Sequence, residues 1–117
     1  MQNFFTITDI RQNESEIQAS VALNCAHEIF KGHFPGFPVV PGVCLLEIAK
    51  NITKSTFNRS FVYSSVDDCK FVSLINPEET PQIDFCLTFD AESGKIQCVV
   101  SSEQQTKAKI KAHLKTE

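Results

Sequence analysis

The sequence predicts an α+β fold in which an antiparallel sheet packs against a single helix. Several segments alternate apolar and polar residues with the period of a half-buried strand, and short stretches rich in turn residues separate them. One segment, from Pro41 to about Phe57, has the start signal and the length of a helix. The chain of 117 residues shows no repeat, linker or low-complexity segment, so we predict one domain over residues 1–117.

Five or six strands are predicted, and the alternation is clearest in EIQASVAL, residues 16–23. The pair Asp67 and Asp68 predicts a bend or bulge, and ESGK at 92–95 has the composition of a hairpin turn. Because short turns join consecutive strands, the sheet should be antiparallel. The predicted strands are FFTITDI, EIQASVAL, residues 60–75, QIDFCLTFD, the segment with Ile96, Cys98 and Val100, and TKAKIKAHLK.

The predicted helix begins at Pro41. Proline suits the first helical position, because its missing N–H would have no acceptor there in any case. The apolar residues of the first half of the helix point in nearly every direction, so we expect this half to be buried on all sides. These residues are Val43, Cys44, Leu45, Leu46, Ile48 and Ala49.

The composition is that of an ordinary globular protein. Hydrophobic residues make up 42% and charged residues 21%, and the net charge of −3 does not indicate nucleic acid as a partner. No apolar run approaches the roughly 20 residues of a membrane-spanning helix, and no secretory leader is evident. We therefore expect a cytoplasmic protein that binds neither nucleic acid nor membrane.

Five cysteines are widely spaced and form no Cys-x-x-Cys pair, so we expect reduced thiols that serve mainly as small core residues. Cys44 lies inside the glycine- and proline-rich segment of residues 31–50 discussed below, which makes it a candidate nucleophile. Its apolar neighbours are expected to raise its thiol pKa and to suppress that reactivity.

Glycine and proline are concentrated in KGHFPGFPVVPGVCLLEIAK, residues 31–50. The prolines fix the backbone and push the residues before them into extended geometry, while Gly36 and Gly42 permit close approach of the backbone. A loop this stiff can orient the side chain of His33, which we therefore take as a candidate base. His27 and His113 are expected to be structural.

Glu47 is a carboxylate on an otherwise apolar helix. Such a group must be hydrogen-bonded, paired or protonated if it is buried. It can therefore be a structural residue that caps a loop or pairs with a lysine, or it can be a candidate acid.

The start of the helix is the third candidate element. The N–H groups of Gly42 and Val43 have no acceptor within the helix and lie at its positive end, which suits an oxygen that gains negative charge. A base, an acid and an oxyanion donor together can remove a proton α to a carbonyl. A metal site is the competing interpretation, but the histidines and glutamates show no recognised ligand spacing.

The segment GHFPGFPVVPGVCLLEIAK, with its His-Phe-Pro-Gly turn and a glutamate fourteen residues after the histidine, resembles the FabZ-type β-hydroxyacyl-(acyl carrier protein) dehydratases of the hotdog-fold superfamily. The resemblance implies an antiparallel sheet wrapped around one long central helix. It also implies elimination of water from a 3-hydroxyacyl thioester to give the trans-2-enoyl thioester. His33 would take the Cα proton, Glu47 would protonate the leaving hydroxyl, and the backbone N–H of Gly42 would hold the thioester oxygen.

The resemblance further implies a homodimer, in which the histidine of one subunit meets the glutamate of the other, and dimers that can associate further. The partner would be an acyl carrier protein, with the substrate on its phosphopantetheine or on coenzyme A and with no cofactor or metal. The pathway would make fatty acids or polyketide-like or aryl-polyene-like products. The chain has Asn51 where the family often has glutamine, and FVSLINPEE where the family has a basic segment.

Two alternatives stay open from the sequence. A hotdog acyl-CoA thioesterase would use the same fold with an acidic helix residue and an activated water. A non-catalytic acyl-binding or scaffold subunit would use only the pocket or the surface. His33 in its rigid turn, together with Glu47, favours the dehydratase.

Overall fold

The computed structural model describes residues 3–14, 16–30 and 38–117. Within them, six strands form one fully antiparallel sheet with the order β1-β2-β4-β5-β6-β3, and one helix packs on it. The elements are β1 (Phe5–Gln12), β2 (Ile17–Leu23), a short 3₁₀ turn (Glu28–Phe30), α1 (Gly42–Phe57), β3 (Phe61–Phe71), β4 (Gln82–Phe89), β5 (Lys95–Ser102) and β6 (Gln105–Thr116). The predicted α+β architecture is thus confirmed.

The alternating pattern places one face of each central strand in the core. In β2, β4, β5 and β6 every second residue is buried over most of the strand, and the apolar ones among these form one core with α1. The largest fully buried side chains include Phe4, Phe30, Phe85, Leu45, Ile48 and Ile52. The opposite face of the sheet carries the polar members of the alternation.

Helix α1 begins one residue later than predicted. Pro41 is extended, with φ −68° and ψ 153°, and its carbonyl accepts the first helical hydrogen bond from the N–H of Cys44 at 3.0 Å. Pro41 is therefore the residue that precedes the helix rather than its first member. The helix ends at Phe57, before Asn58 in the left-handed conformation. Among the described residues, no helix is long and apolar enough to cross a membrane.

The expectation that the first half of α1 is buried on all sides is wrong for the single chain. Cys44, Leu45, Ile48 and Ala49 are buried, but Val43 is 53% exposed. The sheet covers only one side of a helix, so the opposite side of α1 faces outward.

The predicted irregularity at Asp67 and Asp68 is confirmed. The pairing of β3 with β6 shifts register between Val66 and Asp68, which leaves Asp67 as the extra residue of a bulge. There the carboxylate of Asp67 lies 2.8 Å from Nδ1 of His113. β3 is also an edge strand, with one side unpaired within the described sheet.

All five cysteines are free thiols, as predicted. Cys44 and Cys98 are buried, whereas Cys25 is exposed. Desolvation raises the pKa of the Cys44 thiol to about 11, so the reactive thiolate is scarce at neutral pH. This supports a packing role for Cys44.

We predict that alkylation of the folded protein at pH 8 modifies Cys25 first and leaves Cys44 unmodified. With a pKa of about 11, on the order of one Cys44 thiol in a thousand is ionised at that pH, and the side chain is buried. Mass spectrometry after iodoacetamide treatment measures this, and a Cys25→Ser variant should lack the rapid phase. Rapid Cys44 labelling in the folded chain would contradict the assignment.

Candidate active site

His33 lies outside the described residues, so its role as the base stays a prediction. The described residues before and after it are anchored. Before the loop, the ring of Phe30 packs edge-on against Phe4 and His27, with centroids 6.2 and 6.5 Å away. After the loop, the N–H of Val40 donates to the carbonyl of Ile75 at 2.8 Å. These contacts fix the described residues on either side of His33.

Gly42 is the first residue of α1, and no side chain competes for its end of the helix. Pro41 makes no side-chain cap, and the first turn contains no acidic residue. The positive end of the helix is therefore not neutralised by the first turn, as an oxyanion site requires. A Cβ added at Gly42 would lie 3.6 Å from Cys69 Sγ and from Phe71 Cε2, which is ordinary contact. The backbone at Gly42 does not itself demand glycine.

Glu47 lies in the second turn of α1, and both of its carboxylate oxygens have partners. Asn51 donates from Nδ2 to Oε1 at 3.2 Å and to the backbone carbonyl of Glu47 at 2.8 Å. The ammonium of Lys50 lies 3.3 Å from Oε2. The lysine pairing left open from the sequence is thus present, and the clamp from Asn51 holds the carboxylate in one orientation.

Glu47 belongs to the outward side of α1 rather than to its buried side. Its side chain is 27% exposed in the single chain, and that of Lys50 is 28% exposed. Helical spacing places Val43, Glu47, Lys50 and Lys54 on one stripe. Any group that approaches this stripe from outside the protomer can therefore reach the Glu47 carboxylate.

Tyr63 was not predicted from the sequence as part of this region. From β3, its hydroxyl donates to the carbonyl of Leu46 at 2.6 Å, next to Glu47 in the helix. Desolvation, with a smaller contribution from nearby Cys98 and Glu47, raises the Tyr63 pKa well above its usual range, so the hydroxyl stays protonated as a donor. No local pattern could identify it, because the contact joins elements 17 residues apart.

We predict that Tyr63→Phe lowers the free energy of unfolding by about 1 kcal/mol, because it leaves a partly buried carbonyl with one donor fewer. Urea denaturation measures the change. Ser64→Ala is the matched control on the same strand, since the Ser64 hydroxyl is exposed and its contact with the His113 carbonyl is 3.3 Å long. Equal stability of Tyr63→Phe and the wild type would show that the contact contributes nothing.

The single chain brings Gly42 and Glu47 onto one helix but not onto one face. Five residues of α-helix separate them by about 7.5 Å along the axis and by more than a quarter turn. Within the described residues, no group of three or more His, Cys, Asp or Glu side chains is arranged to hold a metal ion. The described geometry thus offers an uncapped helix N-terminus at Gly42 and an oriented carboxylate at Glu47.

Comparison with protein families gives a match to the ApeI-like family, described as ApeI dehydratase, over residues 9–112. Among curated relatives, the 3-hydroxyacyl-(acyl-carrier-protein) dehydratase FabZ of Caulobacter vibrioides is 28% identical over 85 residues, which cover 62% of this chain and 54% of that protein. The FabZ of Bacillus pumilus is 25% identical over 121 residues, which cover 92% of this chain and 83% of that protein. The chain thus spans about half the length of the Caulobacter relative.

Solved structures share the fold. The dehydratase heterocomplex ApeI:P from Xenorhabdus doucetiae superposes with a TM-score of 0.78 at 20% identity, over 93% of this chain and 96% of that chain. An uncharacterized protein from Erwinia carotovora subsp. atroseptica gives a TM-score of 0.72 at 20% identity, over 95% of this chain and 93% of that chain. The expected hotdog fold is confirmed by these neighbours. With the family match covering most of its length, the chain belongs to the ApeI-like dehydratase family, and it is related to the FabZ-type dehydratases.

Proposed function

We propose that the chain, as a single hotdog domain, eliminates water from a 3-hydroxyacyl thioester to give the trans-2-enoyl thioester. The observation that carries this proposal is the Glu47 carboxylate, which Asn51 orients on a helix whose N-terminus lacks a side-chain cap. Membership of the ApeI-like dehydratase family supports the same reaction class.

In the proposed reaction, a ring nitrogen of His33 takes the Cα proton, and the electron pair left behind forms the Cα–Cβ double bond. The Cβ–O bond breaks, and protonated Glu47 gives its proton to the leaving hydroxyl, so that water departs. The N–H of Gly42 donates to the thioester oxygen while that oxygen carries negative charge. The substrate hydroxyl would take the place of Lys50 at Oε2 of Glu47.

The reaction is redox-neutral, and its proton transfers use side chains alone, so we propose that it needs no cofactor or metal. The acyl group would be carried on phosphopantetheine, attached to an acyl carrier protein or to coenzyme A. The biosynthetic context would be fatty acids or polyketide-like or aryl-polyene-like products. The FabZ relatives are named for the carrier-linked substrate, which favours the carrier protein as the partner.

We further propose that a second subunit completes the site, with the histidine of one subunit beside the glutamate of the other. Two features of the protomer support this arrangement. The stripe of α1 that carries Glu47 faces outward next to Val43, which is 53% exposed. β3 offers an unpaired edge of 11 residues, along which a second copy can add.

Mixing two inactive variants tests the shared site. If His33→Ala and Glu47→Gln subunits exchange, a mixed dimer has one complete site, so an equal mixture should recover about a quarter of wild-type activity. Dehydration rates before and after subunit exchange measure the recovery. Each variant alone is the control, and a mixture that stays inactive although mixed dimers form would contradict a site shared between subunits.

The test of the reaction is incubation with a 3-hydroxyacyl pantetheine thioester, followed by mass spectrometry for loss of water and by a thiol assay. Dehydration without thiol release is expected. Thiol release without loss of water would instead indicate the thioesterase that the sequence left open.

A second candidate function is a subunit that acts only together with a different hotdog protein. The similarity to a chain from a dehydratase heterocomplex favours it. It would be supported if the purified chain binds the acyl thioester but turns it over only after a second hotdog subunit is added.

A further inference from the structure

Four residues define a basic patch on the outer face of the sheet: Lys70 on β3, Lys109 and Lys111 on β6, and Val99 on β5. The register places Lys70 directly opposite Lys109, and Lys109 directly opposite Val99. Alternation turns these side chains away from the core, and all four residues are exposed. They form one continuous surface across three neighbouring strands.

The charges of this basic patch are only partly balanced locally. Like charges directly opposite each other on neighbouring strands destabilise a sheet. Within the described residues, the ion pairs involve Arg11, Lys50 and His113, and none involves a lysine of the patch. Asp68, opposite Lys111, is the acidic residue paired with the patch in the register. The positive charge is thus concentrated here although the whole chain has a net charge of −3.

A shallow groove of about 410 Å³ continues the basic patch toward β4. Val99 and Cys86 lie along it, beside Lys109 and Lys111. Glu16 also lines the groove, and its carboxylate accepts hydrogen bonds from Gln18 at 3.1 Å and from Cys86 at 3.2 Å. Lysines beside the exposed apolar side chain of Val99 fit an acidic surface that presents an apolar side chain.

The basic patch lies directly behind the start of α1. Lys70 stands between Cys69 and Phe71, and the side chains of these two residues flank Gly42 on the inner face of the sheet. One strand therefore separates the patch from the candidate oxyanion donor. Just beyond the end of β3, Val72 is 58% exposed, and its N–H donates to the carbonyl of Lys107 at 2.8 Å.

We propose that the basic patch docks the acidic carrier protein that delivers the acyl thioester. This rests on the proposed function for the identity of the cargo. The lysines attract the acidic surface, the groove at Val99 receives an apolar side chain, and the phosphopantetheine arm passes the end of β3 to reach Gly42. The unfavourable pairing of Lys70 with Lys109 is then offset when the carrier protein binds.

The test combines binding with turnover, using the assembled protein with Lys70→Glu, Lys109→Glu and, as the matched control, Lys115→Glu. Lys115 is an exposed lysine of the same strand, six residues beyond Lys109 and opposite Val62, outside the patch. Binding is measured with an acyl carrier protein that bears a 3-hydroxyacyl group as a stable amide. Turnover is measured with the free 3-hydroxyacyl pantetheine thioester, and thermal unfolding checks the fold.

Each patch variant should weaken carrier binding about tenfold or more, and binding should weaken with salt. Lys115→Glu should bind nearly as the wild type does, and all three variants should turn over the free thioester normally. The unfolding temperature of Lys70→Glu should be no lower than that of the wild type, because the substitution replaces a like-charge pair by a pair of opposite charges. Undiminished binding by the patch variants, or equal weakening in Lys115→Glu, would overturn the docking surface.

The two proposals can fail separately. Lys70- and Lys109-dependent binding without turnover of any thioester would reject the dehydratase and retain the docking surface. If the wild-type protein turns over the free thioester but does not bind the carrier protein, the docking surface is rejected and the dehydratase is retained.

Discussion

Glu47→Gln should lower kcat for dehydration by about a hundredfold to ten-thousandfold, which is the range that one acid–base group contributes. Glutamine has nearly the same shape, and its side-chain oxygen can still accept from Asn51. It cannot give a proton to the leaving hydroxyl. Turnover of a 3-hydroxyacyl pantetheine thioester by wild type and variant at equal concentration measures the loss.

Two controls separate the lost proton from other effects of this change. Lys50→Met removes the ion pair at Oε2 but keeps the carboxylate, so it should retain most of the activity. Glu92→Gln makes the same chemical change on an exposed turn and should be fully active. If Glu47→Gln keeps more than about a tenth of the wild-type rate, Glu47 is not the acid of this reaction.

Gly94→Ala should have the largest effect on stability, a loss of about 3 kcal/mol or more, since strain from a left-handed backbone and overlap with a neighbour add together. Gly94 has φ +79° in the turn between β4 and β5. A Cβ there would overlap the carbonyl oxygen of Leu114 on β6. The N–H of the same residue donates to the carbonyl of Gly94 at 2.8 Å, which holds the two segments together. Urea denaturation measures the change.

Gly42→Ala is the matched control for this prediction. Its new Cβ would make only contacts at 3.6 Å, and its φ lies outside the left-handed region. We therefore expect a free energy of unfolding within about 1 kcal/mol of the wild-type value. Any increase in stability would come from the reduced conformational freedom of the unfolded chain. Equal stability of the two alanine variants would contradict the strain assigned to Gly94.

The strands and the turn at Gly94 could be predicted because their signals are local. In β2, β4, β5 and β6 the alternation itself determines which face is buried, and the structure confirms it. The bulge at Asp67 was also indicated locally, by two adjacent acidic residues in a long β-rich segment. The exposure of Val43 was not predictable in this way. It depends on how much of α1 the sheet covers, which is a property of the whole fold.

The candidate site was predicted only in part. The sequence indicated Glu47 because it is a carboxylate on an apolar helix. It indicated Gly42 because the start of that helix is rich in glycine and proline. The donor to the Leu46 carbonyl, Tyr63, comes from a different element, and the clamp of Asn51 on Glu47 depends on rotamers that a sequence does not specify. The roles of His33, Gly42 and Glu47 stay predictions, and His33 also lies outside the described residues.

The most direct test of the proposed elimination is to incubate the protein with a 3-hydroxyacyl pantetheine thioester in D₂O enriched in ¹⁸O, and to follow isotopes by mass spectrometry. Reversible loss and addition of water should place deuterium at Cα and ¹⁸O at Cβ, with the thioester intact and neither label incorporated by Glu47→Gln. A thioester that gains neither isotope in the wild type, or ¹⁸O that appears only in a released carboxylate, would contradict the dehydratase assignment.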